Sequence, residues 1–461
     1  MKKYAIIMAA GKGTRMNSEK PKVIHEVLYK PMITLIIDEL KKLDVDKVYV
    51  VVGHKAKEVA AVCGNEGIEF VLQSEQLGTG HAVKQVGQHL AGKEGTTIVL
   101  NGDAPLITKE TLQALIDTHE KQGNKGTIMT CDCDLETRFG RIIKEDNQVK
   151  EIVEFKDLQE GQYGISEMNV GEYCFDNKCL FEALELVDNK NAQSEYYLPD
   201  VFKIMAKQAI QVGSHKIDDL HEVGGINDRV ELALASKALQ KRINRKHMLN
   251  GVGIIDPENT YITSDVQIGK ETVIEPGTIL KGTTVIGEYC HIGPNCEFTN
   301  VIVKDHVEIK FSVLSDSVIE SGTDIGPYAR LRTNCHIMED VHIGNFVEMK
   351  NANFGKGSKS AHLSYIGDSD VGTNVNIGCG SITVNYDGKN KSKTTIGNDV
   401  FIGCNSNLVA PVTIGDNGFV AAGSTITNDV REDAFAIARA RQVNKEDYVS
   451  VLVEKRNNKE K

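Results

Sequence analysis

A six-residue period in the C-terminal half constrains the fold of this chain more than any other feature. Between Ile262 and Ile426 an apolar residue recurs at every sixth position over long stretches, often followed by glycine. The first run is Ile262, Ile268, Ile274, Leu280, Ile286, Ile292 and Phe298, and the last is Ile396, Ile402, Leu408, Ile414, Val420 and Ile426. A helix repeats about every 3.6 residues and a strand about every 2, so neither produces this period. A short fixed period indicates stacked repeats, each a short strand and a bend.

The middle of the repeat region departs from this register. After Phe298 the apolar positions shift by three residues, and we expect them at Val301, Val307, Val313, Ile319, Ile325, Leu331, Ile337, Ile343 and Met349. Two stretches, 356–365 and 385–393, break the hexads altogether. Insertions in a repeat protein form loops on one face, which is often the binding face. Both stretches are therefore expected to be functional loops.

The hexads resemble the hexapeptide repeats of left-handed parallel β-helix proteins. The resemblance implies a triangular prism with three hexads per coil and one apolar residue pointing inward from each side. Cys290, Cys296 and Cys335 fall at small positions of the hexads, so packing explains them. An ordinary sandwich of alternating strands fits the period poorly.

Composition argues against several classes of function. The net charge of −11 disfavours nucleic acid as a partner. The ten cysteines include no pair of CxxC motifs, and Cys131-Asp132-Cys133 alone is a weak metal signal. Neither a signal peptide nor a run of about 18 apolar residues is visible, so no membrane partner is expected. A cytoplasmic enzyme fits these features.

Residues 1–229 alternate strand-like and helix-like segments. Strands are predicted at 4–10, 47–52 and 97–100, and a helix at 35–43. The alternation predicts a Rossmann-like α/β domain with a mainly parallel sheet covered on both faces. Ligands of such sheets bind at the carboxyl ends of the strands, where the most unusual loops of this segment lie.

A glycine-rich loop follows the first predicted strand. Its sequence, Gly11-Lys12-Gly13-Thr14-Arg15-Met16, lacks the third glycine of a dinucleotide motif, so a nicotinamide cofactor is not expected. Arg15 and Lys22 add positive charge near backbone N–H groups, which suits a polyphosphate. Asp103 follows another strand and could hold Mg²⁺ against those phosphates. Taken alone, the same residues also fit a tight turn with solvated cations and a turn-forming aspartate.

Three motifs together resemble those of sugar-1-phosphate nucleotidylyltransferases. They are the glycine loop with Pro21-Lys22, the stretch Gln76-Leu77-Gly78-Thr79-Gly80-His81-Ala82, and Asn101-Gly102-Asp103. Joined to a long hexapeptide region, they make nearly the whole chain similar to the bacterial bifunctional N-acetylglucosamine-1-phosphate uridylyltransferase and glucosamine-1-phosphate N-acetyltransferase family. The resemblance implies that acetyl-CoA first acetylates glucosamine-1-phosphate. UTP then converts N-acetylglucosamine-1-phosphate to UDP-N-acetylglucosamine for the cell envelope, releasing pyrophosphate.

For uridylyl transfer, the resemblance implies one set of residues in the N-terminal domain. Arg15 and Lys22 hold the triphosphate and take part in catalysis, while Asp103 and Asn227 hold Mg²⁺. The nucleotide lies against Met8, Ala9, Ala10, Gly11, Gln73, Gly78 and Thr79. The amino sugar is bound by Gly140, Glu154, Asn169 and Asn227. The attacking phosphate is already ionised at neutral pH, so this reaction needs no general base.

For acetyl transfer, the resemblance implies a second set in the prism. His362 is the general base that takes a proton from the glucosamine 2-ammonium, a task suited to histidine near neutral pH. Arg332 and Lys350 bind the sugar phosphate, and Tyr365 and Asn376 position the sugar. Acetyl-CoA lies against Cys379, Asn385, Tyr386, Cys404, Ala422 and Arg439. The family resemblance also implies a homotrimer with sites between adjacent prisms.

Three positions depart from the family pattern. Asn101 stands where tyrosine is common, and Cys379 and Cys404 stand where alanine and serine are usual. Both thiols are small, so backbone contacts to a ligand can persist. A covalent acetyl-cysteine is disfavoured because no base is visibly paired with either thiol.

The predicted organisation has three parts: a uridylyltransferase domain at 1–229, a linker helix at 230–250 and an acetyltransferase domain at 251–461. The charged tail from Glu454 is expected to be disordered. Two rival functions remain. One is a monofunctional nucleotidylyltransferase with a regulatory prism, and the other is a prism that serves as a scaffold for protein partners. The interruptions at 356–365 and 385–393 favour the bifunctional enzyme over the first rival. For the second, neither acetyl-CoA nor UTP should raise the melting temperature.

Overall fold

The computed structural model describes residues 2–145 and 148–458. The chain divides into two compact units, Met1–Arg242 and Ile243–Lys461. The division falls within the predicted linker, which is helical over Arg229–Leu249. No helix in the described part of the chain is long and apolar enough to cross a membrane.

The first unit is built on a nine-stranded sheet with a two-stranded ribbon beside it. Its strands are β1 (Lys3–Ala9), β2 (Glu26–Val27), β3 (Lys30–Pro31), β4 (Lys47–Val52), β5 (Ile68–Leu72), β6 (Thr96–Asn101), β7 (Gly126–Asp132), β8 (Arg141–Glu145), β9 (Gln148–Val153), β10 (Glu167–Asp176) and β11 (Val212–Ile217). The order is β11-β7-β10-β6-β1-β4-β5, with the hairpin β8–β9 attached to β10, while β2 and β3 form the ribbon. Strand β10 runs antiparallel to β6 and β7, whereas β5, β4, β1 and β6 are parallel.

Helices cover both faces of this sheet. They are α1 (Met32–Lys41), α2 (Ala56–Cys63), α3 (Thr79–Lys84), α4 (Gly87–Leu90), α5 (Lys109–Gln122), α6 (Asn177–Leu184) and α7 (Asp200–Lys207), and the linker helix α8 (Arg229–Leu249) follows them. Two apolar clusters form, one against each face, because alternate residues of a strand point to opposite sides. The three predicted strands are confirmed to within a residue at each end. Helix α1 begins earlier than predicted, directly after Pro31, whose fixed φ suits a helix start.

The second unit is a parallel β-helix. Its strands are β12 (Gly253–Ile254), β13 (Tyr261–Ile262), β14 (Gln267–Ile268), β15 (Val273–Ile274), β16 (Ile279–Lys281), β17 (Val285–Ile286), β18 (His291–Ile292), β19 (Glu297–Thr299), β20 (Ile302–Val303), β21 (Glu308–Ile309), β22 (Val313–Ser315), β23 (Ser317–Ile319), β24 (Asp324–Ile325), β25 (Arg330–Leu331), β26 (Cys335–Ile337), β27 (His342–Phe354), β28 (Lys359–Val371), β29 (Asn376–Ile377), β30 (Ile382–Val384), β31 (Thr394–Ile396), β32 (Phe401–Ile402), β33 (Asn407–Val409), β34 (Val412–Ile414), β35 (Phe419–Val420), β36 (Thr425–Ile426) and β37 (Phe435–Ala436). In the first coils each strand pairs in parallel with the third strand after it, as β13 does with β16. Three sides per coil make a triangular prism, as the hexads predict.

The register predicted after Phe298 is wrong in part. Leu314 is the inward residue of its strand, whereas Val313 is 41% exposed. Val303 and Ile309 likewise stand in line with the inward residues of neighbouring coils. Three sides of the prism in this region are therefore one residue shorter than a hexad. The shift of three residues accumulates over these sides and is not made in one step. Val301 and Val307 are also buried, next to the turns, so the pattern alone could not tell which apolar position is central.

The prediction of a loop at 356–365 is also wrong. Strands β27 and β28 pair in parallel register from His342 with Lys359 to Phe354 with Val371, without an insertion. The apolar period fails there because inward positions hold small polar residues. Ser358 is fully buried, and its hydroxyl donates to the carbonyl oxygen of Gly372 at 2.7 Å. The other stretch, 385–393, is a true insertion, because the spacing between paired residues rises from 17 for Tyr365 with Ile382 to 25 for Val371 with Ile396.

One corner of the prism carries an unusual row of side chains. Corner residues adopt the left-handed conformation, which favours Gly, Asn and Asp. At this corner stand Phe311, Tyr328, Phe346 and Leu363, with φ of 45°, 64°, 60° and 33°. We call these four residues the corner ladder. Tyr328, Phe346 and Leu363 are each more than half exposed, and the rings of Tyr328 and Phe346 stack at 5.5 Å.

The predicted disorder of the tail is wrong for its described part. Helix α9 spans Tyr448–Asn457 and has no buried residue. Residues 459–461, at the end of that prediction, lie outside the described residues.

Candidate active sites

Two adjoining cavities open at the carboxyl ends of β1 and β6. The first, of about 390 Å³, is lined by Met8, Ala9, Ala10, Gly11, Arg15, Lys22, Gln73, Gly78, Thr79, Asn101 and Asp103 among others. The second, of about 320 Å³, is lined by Met8, Thr79, Asn101, Asp103, Gly140, Glu154, Asn169 and Asn227 among others. Met8, Thr79, Asn101 and Asp103 line both cavities, so the two cavities form one cleft. All residues predicted for uridylyl transfer therefore lie around this cleft.

Charged and amide groups converge where the cavities meet. The Lys22 ammonium forms an ion pair with Asp103 and donates to Asn227 Oδ1 at 2.8 Å. Arg15 Nη2 donates to the same amide oxygen at 2.7 Å. Asn227 Nδ2 donates to the Gly225 carbonyl oxygen at 2.9 Å, which turns Oδ1 toward the cations. Two cations thus share one small cluster with a carboxylate and an amide oxygen.

The donor set of this cluster suits Mg²⁺. Asp103 and Asn227 offer a carboxylate and an amide oxygen, and a single cationic group, the Lys22 ammonium, touches both. Magnesium is commonly held by one or two protein oxygens together with substrate phosphates. Among the described residues no group of three or more His, Cys, Asp or Glu forms a metal cage, so phosphate oxygens would complete the coordination.

The far end of the cleft has the features of a sugar site. Gly140 lies against Glu154, because a Cβ on Gly140 would stand 3.3 Å from Glu154 Oε1. Burial raises the pKa of Glu154 to about 7, with smaller contributions from Asp157 and Asp200. Asn169 is buried and donates to the Tyr173 hydroxyl oxygen at 2.8 Å. Arg138 and Glu195 also line this cavity, so this end offers both polar and charged groups.

Sequence reasoning missed a buried carboxyl group below the cleft. Glu172 is fully buried, and burial together with the charge of Asp103 raises its pKa well above the ordinary value, while contacts with Asn101 act in the opposite direction. Asn101, the position that departs from the family pattern, lines both cavities and donates to the Gly171 carbonyl oxygen at 3.1 Å. No pattern in the strand sequence marks Glu172 as buried.

In the prism, His362 stands in an outward row with one residue per coil. The parallel register aligns it with Asn345 on the preceding coil and with Cys379 on the next, followed by Cys404 and Ala422. His362 Nδ1 lies 2.9 Å from Asn345 Oδ1. An amide oxygen can only accept, so Nδ1 carries the proton and the Nε2 lone pair is free to accept one. Sequence reasoning missed Asn345, which looks like ordinary surface.

A cluster of cations occupies the next corner of the prism. Arg332 Nη1 lies 3.1 Å from Glu348 Oε1, and Lys350 is close by. The pKa of Lys350 is lowered, mainly by the neighbouring Lys391 and to a lesser extent by Arg332. Mutually repelling cations mark a place where an anion would be stabilised. Lys391 is a further missed residue, although the insertion 385–393 that carries it was singled out.

Other predicted acetyltransferase residues surround these two groups. The Tyr365 side chain lies over Gly367, where a Cβ would stand 2.4 Å from its hydroxyl oxygen. Asn376 opens β29, three residues before Cys379. Asn385 donates to Asp368 Oδ2, Tyr386 donates to the Gly388 carbonyl oxygen, and Arg439 approaches Gly423. The prism thus holds all of these residues on its outer surface.

The predicted acetyltransferase residues lie at two neighbouring corners of the prism. His362 lies beside the left-handed corner residue Leu363, whereas Lys350 lies beside Asn351, at the next corner. One side of the prism separates these corners, and five residues from Leu363 to the corner residue Asp368 span it. At about 3.3 Å per residue, the backbone of this side is on the order of 15 Å long.

Comparisons with known proteins cover the whole chain. The MobA-like NTP transferase domain matches residues 5–194, the GMPPB C-terminal domain matches 256–353, and the bacterial transferase hexapeptide (six repeats) matches 393–428. The Bifunctional protein GlmU of Geobacillus sp. (strain WCH70) is 53% identical over 458 residues, covering 99% of this chain and 100% of that protein. The Bifunctional protein GlmU of Shouchella clausii (strain KSM-K16) is 51% identical over 448 residues, covering 97% and 98%. A UDP-glucose pyrophosphorylase structure with UDP-glucose gives a TM-score of 0.42 at 19% identity, covering 52% of this chain and 100% of that one.

Proposed function

This chain belongs to the GlmU family of bifunctional transferases, and we propose that its cleft and its prism divide the two reactions between them. The family and the fold class predicted from the motifs are confirmed. As a GlmU protein it transfers uridylyl and acetyl groups in making UDP-N-acetylglucosamine. We assign uridylyl transfer to residues 1–229 and acetyl transfer to 251–461. We place the enzyme in the cytoplasm, where UTP and acetyl-CoA are supplied.

The cluster at the junction of the two cavities carries the uridylyltransferase proposal. A phosphate oxygen of N-acetylglucosamine-1-phosphate attacks the α-phosphorus of UTP, and the bond to pyrophosphate breaks. Arg15 and Lys22 stand where the triphosphate would lie and neutralise the charge that develops on it. The sugar occupies the end with Gly140, Glu154 and Asn169, so the nucleophile approaches from one cavity and the leaving group departs through the other.

We propose Mg²⁺ as the metal of this cleft, held by Asp103 and Asn227. When bound, it would supply positive charge that offsets the charge of the triphosphate. The two protein oxygens that would hold it face the Lys22 ammonium. Positioning and charge neutralisation then account for the chemistry without a general base.

The free Nε2 of His362 carries the acetyltransferase proposal. It takes a proton from the 2-ammonium of glucosamine-1-phosphate, and the resulting amine attacks the thioester carbonyl of acetyl-CoA. The C–S bond then breaks and CoA leaves as its thiolate. The surplus proton of the attacking nitrogen passes to that thiolate, which gives the amide and the free thiol of CoA. Asn345 keeps the imidazole in the tautomer that can accept. Arg332, Lys350 and Lys391 receive the sugar phosphate.

We also propose a homotrimer. The His362 corner and the cation corner are complementary halves of one site. The His362 corner of one prism must therefore lie against the cation corner of its neighbour. The corner ladder supports this, because an exposed apolar row in a strained conformation gains most from burial against a second copy. Each left-handed non-glycine residue costs roughly 1–2 kcal/mol, which burial of the row would offset.

Assaying each half-reaction separately tests the division of labour. Asp103→Ala is expected to lower uridylyl transfer by about 10²–10³-fold or more and to leave acetyl transfer intact. His362→Ala is expected to do the reverse. Each variant is the control for the other. Loss of both activities from either change would contradict two separate sites, and absent CoA release by the wild type would favour the monofunctional rival.

A further inference from the structure

Two free thiols stand next to each other in the outward row that contains His362. Cys379 is half-buried and Cys404 is exposed, and neither is in a disulfide. The main-chain N–H of Asn405 donates to the Cys379 carbonyl oxygen at 2.7 Å, which places the two cysteines side by side on neighbouring coils. Neighbouring strands lie about 4.8 Å apart, within the span of about 4.4–6.8 Å between the Cα atoms of a disulfide. The backbone therefore allows a disulfide between these two cysteines.

The histidine of the same row supplies a proton acceptor for the first thiol. The main-chain N–H of Gly380 donates to the Leu363 carbonyl oxygen at 2.8 Å, so Cys379 follows His362 directly in the row. A thiolate, not a thiol, attacks a disulfide, so a base beside Cys379 prepares it for exchange. In the described part of the chain no three His, Cys, Asp or Glu side chains could hold a metal ion, so the row is not a metal site.

The corner beside the two thiols is open. Earlier coils carry the corner ladder there, but beyond Leu363 the same corner continues with Gly380, Asn405 and Gly423. The two glycines have no side chain that could cover the neighbouring thiols. At the last of these coils the Arg439 side chain approaches, because its Cδ lies 3.8 Å from the place of a Cβ on Gly423. A long ligand can therefore lie along the row with a phosphate group at the Arg439 guanidinium.

We infer that Cys379 is a modification site at which the disulfide of CoA is captured by thiol–disulfide exchange. The inference rests on the proposed acetyltransferase function, which brings the sulfur of CoA to His362. The His362 Nε2 takes the proton of the Cys379 thiol, and the thiolate attacks one sulfur of CoA disulfide. That S–S bond breaks, and one CoA leaves as a thiolate that takes the proton back. The other CoA stays attached through a new S–S bond, so Cys379 is oxidised and the released CoA is reduced.

Cys404 gives the attached CoA a second fate. Its thiol loses a proton and attacks the Cys379 sulfur of the mixed disulfide, and the bond to CoA breaks. CoA takes up the proton and leaves as a free thiol, while a disulfide between Cys379 and Cys404 remains. Both products obstruct the groove for acetyl-CoA, so acetyl transfer stops until a thiol reductant restores the cysteines. The acetyltransferase is thus sensitive to the oxidised form of its own product.

Intact-mass spectrometry of the full-length protein treated with CoA disulfide tests the site. The wild type is expected either to gain one CoA less two hydrogens or to lose two hydrogens, and to lose acetyl transfer until dithiothreitol is added. Cys404→Ala should stop at the CoA adduct, which peptide mapping places on Cys379. Cys379→Ala should be modified at least about tenfold more slowly, because the thiol held next to the bound disulfide is gone. Cys179→Ala removes another half-buried thiol and should be modified as the wild type is.

Glutathione disulfide, which has no nucleotide part, separates capture in the groove from simple exposure of a thiol. At equal concentration it should modify Cys379 at least about tenfold more slowly than CoA disulfide does. Equal rates with the two disulfides, or equal rates for Cys379→Ala and the wild type, would overturn the inference. A wild type that releases no CoA from acetyl-CoA and glucosamine-1-phosphate before treatment would instead refute the proposed function. Uridylyl transfer, measured in the same samples, should persist throughout.

Discussion

At the scale of single residues, the environment of each carboxyl group in the cleft determines its chemistry. Asp103 forms an ion pair with the Lys22 ammonium at the open cleft. Glu172, on strand β10, is fully buried, and burial followed by the charge of Asp103 raises its pKa well above the ordinary value. Glu154 lies between these extremes, with a pKa of about 7. Residue type alone does not separate these three states; burial and neighbouring charge do.

The raised pKa of Glu154 predicts a pH-dependent stability. The unfolded chain releases the Glu154 proton near pH 4.5, whereas the folded chain keeps it until about pH 7. Between these values the unfolded state binds fewer protons, so the free energy of unfolding falls as the pH rises through this window. Glu154→Gln has no carboxyl group at this position, so it should not lose this stability. We expect its free energy of unfolding, relative to wild type, to be about 2 kcal/mol higher at about pH 8 than at about pH 5.

Urea unfolding monitored by circular dichroism at the two pH values measures the effect. The control is Glu136→Gln, an exposed glutamate of the same unit, which should show no pH-dependent gain. A Glu154→Gln variant whose stability follows the wild type at both pH values would show that the carboxyl group ionises freely in the folded protein.

At the scale of elements, the insertion 385–393 is accommodated without disturbing the coils. The strands on either side of it, β30 and β31, keep parallel pairing with the next coil. The insertion places Lys391 beside Lys350, and the ammonium group of Lys391 lowers the pKa of Lys350. A charged sugar phosphate would relieve that repulsion, which is a physical reason to place it there.

Removing one of these cations should weaken binding of the sugar phosphate alone. Lys391→Ala is expected to raise KM for glucosamine-1-phosphate by about tenfold, which corresponds to the loss of one charge-assisted hydrogen bond. KM for acetyl-CoA should change little. Lys389→Ala, an exposed lysine of the same insertion, is the matched control. If both variants behave alike, general electrostatic attraction rather than a specific contact explains the effect.

At the scale of the whole molecule, the two halves differ in how their proposed site residues are distributed. The cleft of the first unit gathers every residue predicted for uridylyl transfer around it, so this half is expected to act without a partner. The prism instead places its proposed proton acceptor and its cations at different corners. Assembly is therefore expected to be required for one activity and dispensable for the other.

A charge placed in the corner ladder tests this expectation. Phe346→Asp should convert the trimer to monomers, because association would bury an unpaired carboxylate. Acetyl transfer should fall by at least about 10²-fold as the site is divided, while uridylyl transfer persists. Sedimentation velocity gives the oligomeric state, and the two assays are run on the same samples.

The matched control introduces the same charge at another corner. Asn374→Asp changes a residue that is also left-handed, with φ of 56°, but lies outside the corner ladder. It should leave both the assembly and the activities unchanged. A monomeric Phe346→Asp variant that retains acetyl transfer would contradict a shared site.

The sequence by itself determined the two architectures and most of the cleft. The hexad period requires stacked coils, since only a repeating side buries one apolar residue in every six. The glycine loop, Lys22 and Asp103 follow strands of one parallel sheet, so their meeting at one edge is a consequence of topology. These features are local or periodic, so they can be predicted from the order of residues in the chain.

Only the tertiary structure decided what depends on residues distant in the chain. The central apolar position between Phe298 and Ile319 was ambiguous because two positions per side are buried there, and 356–365 looked like a loop because its inward residues are serines. Asn345 meets His362, and Lys391 meets Lys350, only because coils of irregular length bring them into register. The raised pKa of Glu172 likewise depends on its burial and on the charge of Asp103, which is distant in the chain. Such contacts form only where several segments meet in the fold, so no single segment predicts them.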